Sequence, residues 1–537
     1  MAIKRYVAEI DTTISNAFKS DLQTRGTGSN MGAADTLEVF SVYGQAHTSS
    51  AELSRILVQF PVQEISSSRA NSVIPGSGSV NFYLKMYNAE HSYTVPSDYT
   101  LEILPVASPW KEGSGLDMDE YSDETRDELE GATWLSRSNG EAWTAVGGDF
   151  EPGSAHAGPY TASFDKGTED LELDISELVE QWLASVTASN STVERSNNGV
   201  LIKLLGTHEA YHSSSALTEQ QDKYDQDSAD NIPFNLTGSK SSYYTKKFFS
   251  RTSEFFFKRP VIEARWDDSK KDDRGNFYLK SVLANTAENL NTLYLYNFVR
   301  GKLRDIPGLN DDGTIYMTLH TGTTDPSSPA EELPAGGDVP TADTTVVSGG
   351  WVDVGIYTAS LMATTSLNSH EYFFDVWKTG ETGNTLATGS RFRSRNFDGY
   401  TMNPSPEYVT TATNLKTAYS TDETARIRVH IREKDWCPTI YTVASKAIEN
   451  TIIEDAYYRI TRVADDMEVV GFGTGAITPQ NMGDPDSYTR LSFDASGNYF
   501  DFDMSLLERG YSYGIRLMYY INDSYHEQSD VFKFRVE

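Results

Sequence analysis

The sequence has one cysteine, Cys437, and lacks both a long apolar run and an apolar leader at its start. A single thiol cannot form an internal disulfide, so the fold must depend on buried side chains. The chain contains no run of 18 apolar residues, and we therefore expect no membrane-spanning helix. The opening residues MAIKRYVAEIDTTIS lack the apolar core of a secretory signal. These absences predict a protein that is made in a cytoplasm and is not secreted.

Basic residues are also scarce. The chain has 45 Lys and Arg against 77 Asp and Glu, a formal net charge of −32. Nucleic-acid binding needs Lys and Arg against the phosphates, and an anionic membrane surface would repel such a chain. We therefore expect neither partner. The charge favours solubility, and a cation-binding or electrostatic docking role is the alternative.

The sequence is rich in aromatic residues, with 31 Tyr and 24 Phe in 537 residues. Aromatic and β-branched residues favour strands, and a chain of this length exceeds the size of one core. Short apolar segments separated by Gly, Ser, Asn and Asp turns recur along the chain. We therefore predict an all-β, multi-domain fold.

One segment, 171–205, departs from the strand pattern. Apolar residues recur there at helical spacing, which indicates one buried helix face: Ile175, Leu178, Val179, Trp182 and Leu183. Asp174 and Glu177 have the spacing of a capping box. The turn residues Asn197-Asn198-Gly199 then precede an apolar strand at 200–205. A single helix among strands must be covered by a sheet, so we predict that it packs inside a β-sandwich.

The order of several motifs resembles that of DNRLRE-type domains, which are β-sandwich modules related to carbohydrate-binding modules. The motifs are Asp11-Thr12-Thr13-Ile14, Asn30-Met31-Gly32, Ile56 to Phe60, Trp110-x-Glu112-Gly113 with Thr133-Trp134, Asp174 to Trp182 before Asn198-Gly199-Val200, Phe249-Ser250-Arg251 and Arg259-Pro260-Val261-Ile262. Such modules occur on bacterial surface proteins and in phage particles. The resemblance covers residues 1–266 and implies a β-sandwich there, although the six-letter string that names the family is absent.

The remaining chain divides by composition. Residues 267–289 are charged and poor in apolar residues, which predicts a linker. Strands at immunoglobulin-like spacing follow at 290–395, and 396–537 is predicted to form an immunoglobulin-like or fibronectin-like β-sandwich. In this last part Leu507, Gly510 and Tyr513 have the L-x-x-G-x-x-Y spacing of a tyrosine corner.

Gly510-Tyr511-Ser512-Tyr513-Gly514 matches the G-x-S-x-G pattern of a serine hydrolase. In those enzymes the serine lies between a strand and a helix. Here the next residues alternate as in a strand, and His526 follows closely without an α/β core. The match is therefore interpreted as structural.

Two groups of residues have the composition of metal ligands. The carboxylates Asp222, Asp225, Asp227 and Asp230 could hold calcium, but they lack the central Gly and final Glu of an EF-hand. His208 and His212 could bind zinc on a helix, but no further ligand accompanies them. A solvated loop and surface histidines are the favoured interpretations, and the acidic stretch 117–130 is interpreted as solvated too.

A run of aromatic and basic residues spans Tyr243 to Phe249 and continues at Phe255 to Arg259. Aromatic rings beside bases can stack single-stranded nucleic acid. In so acidic a chain, a sheet core and a subunit interface are the favoured places for these rings.

The sequence therefore predicts an N-terminal β-sandwich with one packed helix, followed by two immunoglobulin-like β-sandwiches. It predicts no catalytic residue, no cofactor-binding residue and no metal ligand. An unsecreted, acidic, disulfide-free chain of β modules resembles virion proteins of tailed phages, which form parts of the head, neck or tail. That resemblance implies a structural role in the virion, with copies of the chain and other virion proteins as partners. The alternative is a carbohydrate-binding adhesin whose partner is a host glycan.

Overall fold

The computed structural model describes residues 2–537 except 45–50, 91–95, 118–130, 152–159, 188–194, 213–231, 310–312, 322–330, 337–344, 365–369, 371, 396–405, 437–438, 441–449 and 475–484. The chain divides into two compact units. The first unit contains residues 2–267 and 475–488, and the second contains 268–474 and 489–537. Strands dominate both, which confirms the predicted all-β, multi-domain fold.

The described elements of the first unit are, in chain order, β1 (Ile3–Val7), β2 (Ile10–Ser15), β3 (Thr36–Val42), β4 (Glu52–Gln59), α1 (Val62–Ala70), β5 (Asn81–Met86), β6 (Tyr99–Pro105), β7 (Ser136–Ser138), β8 (Glu141–Ala142), β9 (Tyr160–Phe164), β10 (Leu171–Asp174), α2 (Ser176–Thr187), β11 (Val200–Leu204), β12 (Tyr243–Phe249) and β13 (Val261–Arg265), with 3-10 turns at Phe256–Lys258 and Pro485–Ser487.

The described strands of the first unit form two main antiparallel sheets. One has four strands in the order β1-β13-β5-β10, and the other has seven, in the order β12-β3-β4-β11-β6-β9 with β2 beside β4. The large sheet is covered on both faces. In β4, Ile56 and Val58 face a core shared with the small sheet and both helices, whereas Leu57 faces a second core with Trp134 and Trp143. Alternate residues point to opposite faces, so residues 53–58 of this strand are all buried, including the polar Ser54 and Arg55.

Helix α2 confirms the predicted helix. The Asp174 carboxylate accepts a 2.8 Å hydrogen bond from the Ser176 amide at its start, and Ile175, Leu178 and Trp182 are buried in the shared core. Helix α1 was not predicted, because its Ser-rich sequence lacks the helical spacing of apolar residues that predicts α2. The apolar face of α1 is short and buries Val62 and Ile65. An ion pair between Arg69 and Glu180 also joins this helix to α2.

The described strands of the second unit are β14 (Phe277–Tyr278), β15 (Asn291–Tyr296), β16 (Phe298–Val299), β17 (Lys302–Leu303), β18 (Ile315–Thr321), β19 (Glu331–Leu333), β20 (Ala335–Gly336), β21 (Val346–Asp353), β22 (Ile356–Ala363), β23 (Phe373–Lys378), β24 (Thr385–Thr388), β25 (Ser394–Arg395), β26 (Tyr408–Ala412), β27 (Ala418–Tyr419), β28 (Thr424–Glu433), β29 (Ala456–Arg462), β30 (Glu468–Val470), β31 (Ser492–Asp494), β32 (Gly497–Asp503), β33 (Ser512–Ile521), β34 (Ser524–Glu527) and β35 (Phe532–Val536), with 3-10 turns at Asp273–Gly275, Ala287–Asn289 and Met504–Leu506.

The predicted domain 290–395 lies in this second unit, and so does the predicted domain 396–537 except for residues 475–488, which belong to the first unit. The strands β15, β22, β21, β18, β23 and β24 follow one another in a single sheet, with β19 and β20 attached to it. After residue 405, one sheet has the order β26-β28-β32-β31 and the other β27-β35-β33-β29-β30, with β34 beside β33. These two sheets have the immunoglobulin-like sandwich character that the sequence predicts.

From Asp268 onward, the segment 267–289, which was predicted to be a linker, is built into the second unit. Phe277 is fully buried in the core beside Phe373 and Phe392. The Arg274 guanidinium bonds the carboxylates of Asp272 and Asp375. The charges that suggested a solvated connection are therefore neutralised within the fold, which corrects the linker prediction.

Candidate functional site

Two neighbouring β-hairpins of the second unit expose apolar side chains. Strands β16 and β17 form the first hairpin, whose turn residues Arg300 and Gly301 both have positive φ, 53° and 76°. Two such residues form the type I′ turn that suits a two-residue hairpin loop. The side chains before the turn are exposed, Phe298 by 61% and Val299 by 48%. The fold therefore presents these apolar groups to solvent.

The second hairpin joins β21 to β22 and exposes Trp351, Val352 and Val354 by 45%, 41% and 47%. Asp305 fastens it to the first hairpin. Its Oδ1 accepts a 2.9 Å hydrogen bond from the Trp351 indole and a 2.8 Å bond from the Gly355 amide. We call Phe298, Val299, Trp351, Val352 and Val354 the hairpin patch. Exposed apolar groups that are grouped in this way mark interaction surfaces.

Three cations border the hairpin patch: Arg300, Lys302 and Arg304, all exposed. Within the part of the chain that the structure describes, none of the three forms an ion pair with a carboxylate. By contrast, Arg426 and Arg428 of the same unit each hold a carboxylate with two nitrogens, Asp501 and Asp494 respectively. The first hairpin is thus both apolar and positively charged in a chain of net charge −32.

The first unit contains a polar pocket of about 370 Å³. It is lined by Val106, Ala107, Pro109, Glu151, Arg195, Ser196 and Asn198. Arg195 is buried, pairs with Glu151, and donates a 3.1 Å hydrogen bond from Nε to Gln181 Oε1. The Trp110 indole donates a 2.8 Å bond to the Asn198 carbonyl, so two of the family-like motifs meet at the pocket wall.

Three other motif residues, Asp11, Glu112 and Arg251, form a polar cluster in which Asp11 is buried and the other two are partly exposed. Glu112 Oε1 accepts bonds from the Asp11 amide at 2.9 Å and from Arg251 Nε at 2.6 Å. The Arg251 amide in turn donates a 2.6 Å bond to Asp11 Oδ2. Burial, together with the nearby Glu112 charge, raises the pKa of Asp11 to about 7. These contacts tie β2, the Trp110 loop and the chain after β12 together, which is a structural role.

Ser512 lies at the start of β33 and is exposed, and a strand follows it instead of a helix. His526 pairs in register with Tyr519, seven residues further along that strand. At roughly 3.3 Å per residue, it lies about 23 Å from Ser512 along the strand. The His526 ring bonds Ser524 Oγ at 2.7 Å instead. The geometry of a nucleophile elbow is therefore not formed at this motif.

The histidines His208 and His212 do not share a helix. His208 lies in a turn and packs edge-on against Tyr243 at 5.0 Å, and burial lowers its pKa. His212 is buried and forms an isolated bridge with Asn235, so the prediction of surface histidines was wrong for it. Asp222, Asp225, Asp227 and Asp230 lie outside the described residues, as do residues 118–130. Among the residues that are described, no group of three or more His, Cys, Asp or Glu could hold a metal ion.

The aromatic and basic run at Tyr243 to Phe249 is strand β12. Its Lys246 is buried, and the ammonium group donates hydrogen bonds to Asn88 Oδ1, the Gly167 carbonyl and the Glu169 carbonyl at 2.6 to 2.9 Å. Lys247 pairs with Glu38 at 2.6 Å. These bases are engaged inside the unit, so they do not form a phosphate-binding surface. None of the described helices is long and apolar enough to cross a membrane.

The hairpin patch was not found from the sequence. Phe298 and Trp351 lie within residues 290–395, where the sequence predicts strands, and alternation alone does not show which face of a strand stays uncovered. A signal was present, since Phe298 and Val299 stand directly before the turn residues Arg300 and Gly301. Apolar residues beside a charged turn extend past the sheet and have no neighbouring strand to cover them.

No family model and no curated protein matches the chain. Among solved structures, it is similar to the native conformation of the alpha-2-macroglobulin of E. coli, determined by cryo-electron microscopy, with 10% identity and a TM-score of 0.15. The match covers 100% of this chain and 34% of the other, so the chain spans about a third of that protein. At this TM-score the similarity carries no argument about function.

Proposed function

We propose that the protein is a structural component of a tailed-phage particle, part of its head, neck or tail, and that it acts by binding copies of itself and neighbouring particle proteins. The hairpin patch carries this proposal. Two hairpins fixed to each other by Asp305 present five apolar side chains to water, an arrangement suited to a permanent contact. The order of the motifs at 1–266, which resembles a module found in phage particles, supports it further.

Particle purification tests this role. Particles from a culture that carries the gene are banded on a density gradient and probed with an antibody against the chain. The proposal expects the chain to band with the particles in several copies per particle. Recovery of the chain only from the soluble fraction would overturn it. A parallel preparation from a strain with the gene deleted controls for antibody specificity, and particles that form normally without the chain would also contradict a structural role.

The second candidate is glycan binding, and the polar pocket of the first unit favours it. Its lining alternates donors and acceptors, Arg195 and Asn198 beside Glu151, as sugar hydroxyl groups require. Stacking on an exposed tryptophan is excluded there, because Trp110, Trp134, Trp143, Trp182 and Trp266 are all buried.

A glycan array with the full chain separates this candidate from the first. A pocket-dependent glycan signal would be lost in Ser196→Phe, whose ring fills the pocket, and kept in Tyr244→Ala, which alters an exposed ring outside the pocket lining. Absence of any signal, or a signal that is lost only in Tyr244→Ala, would reject the pocket as a glycan site.

A further inference from the structure

The cations of the first hairpin need an acidic partner. Arg300, Lys302 and Arg304 are exposed beside Phe298 and, within the described ranges, pair with no carboxylate. This surface is apolar and is bordered by these unpaired cations. It therefore favours a partner surface that is also apolar at its centre and negatively charged around it. Because the chain has 77 acidic against 45 basic residues, a second copy readily supplies such a surface.

Among its described residues, the second unit carries a surface with this complementary character. Strand β34 pairs with β33 through a two-residue turn, Asn522-Asp523, in which both residues have positive φ, 49° and 57°. All four residues of β34 are exposed, and among the described strands it has β33 as its partner on one side alone. A strand with such an uncovered edge is a ready site for contact with another chain.

The side chains around β34 match the hairpin in chemistry. The rings of Tyr520 and Tyr525 lie 4.9 Å apart, and Tyr525 is 42% exposed. Asp523 and Asp530 are exposed nearby and form no ion pair with the described cations. Glu527, by contrast, is already paired with Arg459 at 2.7 Å. We call Tyr520, Tyr525, Asp523 and Asp530 the acidic edge.

We propose that the cationic hairpin of one copy of this chain docks on the acidic edge of a second copy. This inference rests on the proposed structural function and names the contact by which copies would assemble. The two surfaces differ, so the contact is heterologous: repeated copies form a ring if the rotation between them closes, and a filament if it does not. Salt screens the opposite charges at its border, so charge reversal should weaken the contact more at low than at high ionic strength.

Charge reversal in the full chain tests the contact by sedimentation velocity at low and high salt. Arg300→Glu with Lys302→Glu is expected to weaken self-association by about tenfold or more, since opposite charges become like charges. Asp523→Asn with Asp530→Lys should weaken it too, and the four changes together should restore part of it. Lys111→Glu with Lys533→Glu is the matched control: both residues are exposed and the net charge changes equally, so association should not weaken. Circular dichroism checks that each variant is folded.

Unchanged association of the hairpin variant would overturn the proposal, as would a wild-type chain that stays monomeric. Failure of the combined variant to regain association would overturn the acidic edge as the acceptor. Vesicles of phosphatidylserine and phosphatidylcholine test whether the wild-type chain binds a membrane instead. If it binds them and the hairpin variant loses that binding while its self-association is unchanged, the hairpin is a membrane-binding site and the proposed contact is overturned. Particle purification distinguishes the two proposals. If the chain is found in particles but its hairpin variant still self-associates, this contact is refuted and the proposed structural function is not.

Discussion

The hydroxyl group of Tyr513 donates a 2.9 Å hydrogen bond to the backbone carbonyl of Glu508, five residues earlier in the chain. Tyr513 is fully buried, and Gly510 between the two residues has a φ of 88° that favours glycine. This bond is the tyrosine corner that the L-x-x-G-x-x-Y spacing predicts, and it closes the turn before β33. The prediction is confirmed by a contact between side chain and backbone.

Replacing Tyr513 by Phe should lower the free energy of unfolding of the second unit by about 1 kcal/mol, because the ring stays buried while the Glu508 carbonyl loses its donor. Urea titration with hydrogen exchange and mass spectrometry reports each unit through its own peptides. Tyr511→Phe is the control, since Tyr511 is 38% exposed; its effect should stay within about 0.5 kcal/mol. Equal effects of the two variants would show that the corner bond does not stabilise the fold.

Arg274→Ala should destabilise the second unit by about 3 kcal/mol, since it leaves buried carboxylates without their cation. The Asp375 side chain is fully buried and also accepts a 2.6 Å bond from the Trp377 indole, so it cannot turn towards water. Arg300→Ala, which removes an exposed cation, should change stability by less than about 0.5 kcal/mol. The same urea titration compares the two, and a mild effect of Arg274→Ala would contradict a structural role for the segment once predicted to be a linker.

Local patterns in the sequence were enough to predict the all-β fold, the helix α2 and the tyrosine corner. Each depends on spacing within about ten residues, such as the apolar set around Leu178 and Trp182. Helix α1 was missed because its sequence is rich in Ser, and an ion pair from Arg69 to the distant Glu180 supports it. Helix propensity depends on the local sequence and does not report such a long-range contact.

The linker at 267–289 was mispredicted for a related reason. A charged segment is usually solvated, but here Arg274 pairs with Asp272 inside the segment and with Asp375, about a hundred residues later. The candidate site was out of reach for the opposite reason: Phe298 and Trp351 have the sequence signature of buried strand residues, and only the tertiary arrangement leaves them uncovered. Ion pairing between distant residues and the exposure of a side chain are set by the tertiary fold, so local sequence patterns do not reveal them.

Asp11→Asn should gain stability relative to the wild type as the pH rises. The Asp11 pKa is about 7 in the folded chain, against 3.8 when unfolded, because burial and the Glu112 charge favour the protonated acid. Between these values the unfolded chain has released the proton while the folded chain still holds it, so wild-type stability falls as the pH rises. Asn does not titrate, and its advantage should grow from pH 4 to pH 7 and then level off. Urea titrations of the first unit at half-unit steps measure this difference. A constant difference across the range would refute the raised pKa.

Glu263→Gln should show the opposite pH dependence in the same unit. Burial alone would raise the Glu263 pKa, but the guanidinium groups of Arg5 and Arg265 outweigh it and lower the pKa to about 2, from 4.5 in the unfolded chain. Both contacts are 2.8 Å long. The carboxylate therefore contributes stability that is fully present above pH 4.5 and is lost as the pH falls towards 2.

The Gln variant should consequently be about 3 kcal/mol less stable than the wild type at neutral pH, since Arg5 loses its carboxylate partner and Arg265 keeps only Glu172. That deficit should shrink as the pH falls from 4.5 towards 2, where the wild-type carboxylate also becomes neutral. Asp11→Asn provides the internal contrast, because the same titration of the same unit must slope the other way. If the two differences slope in one direction, a general effect of pH on the unit explains both, and the opposite charge environments of Asp11 and Glu263 do not govern its stability.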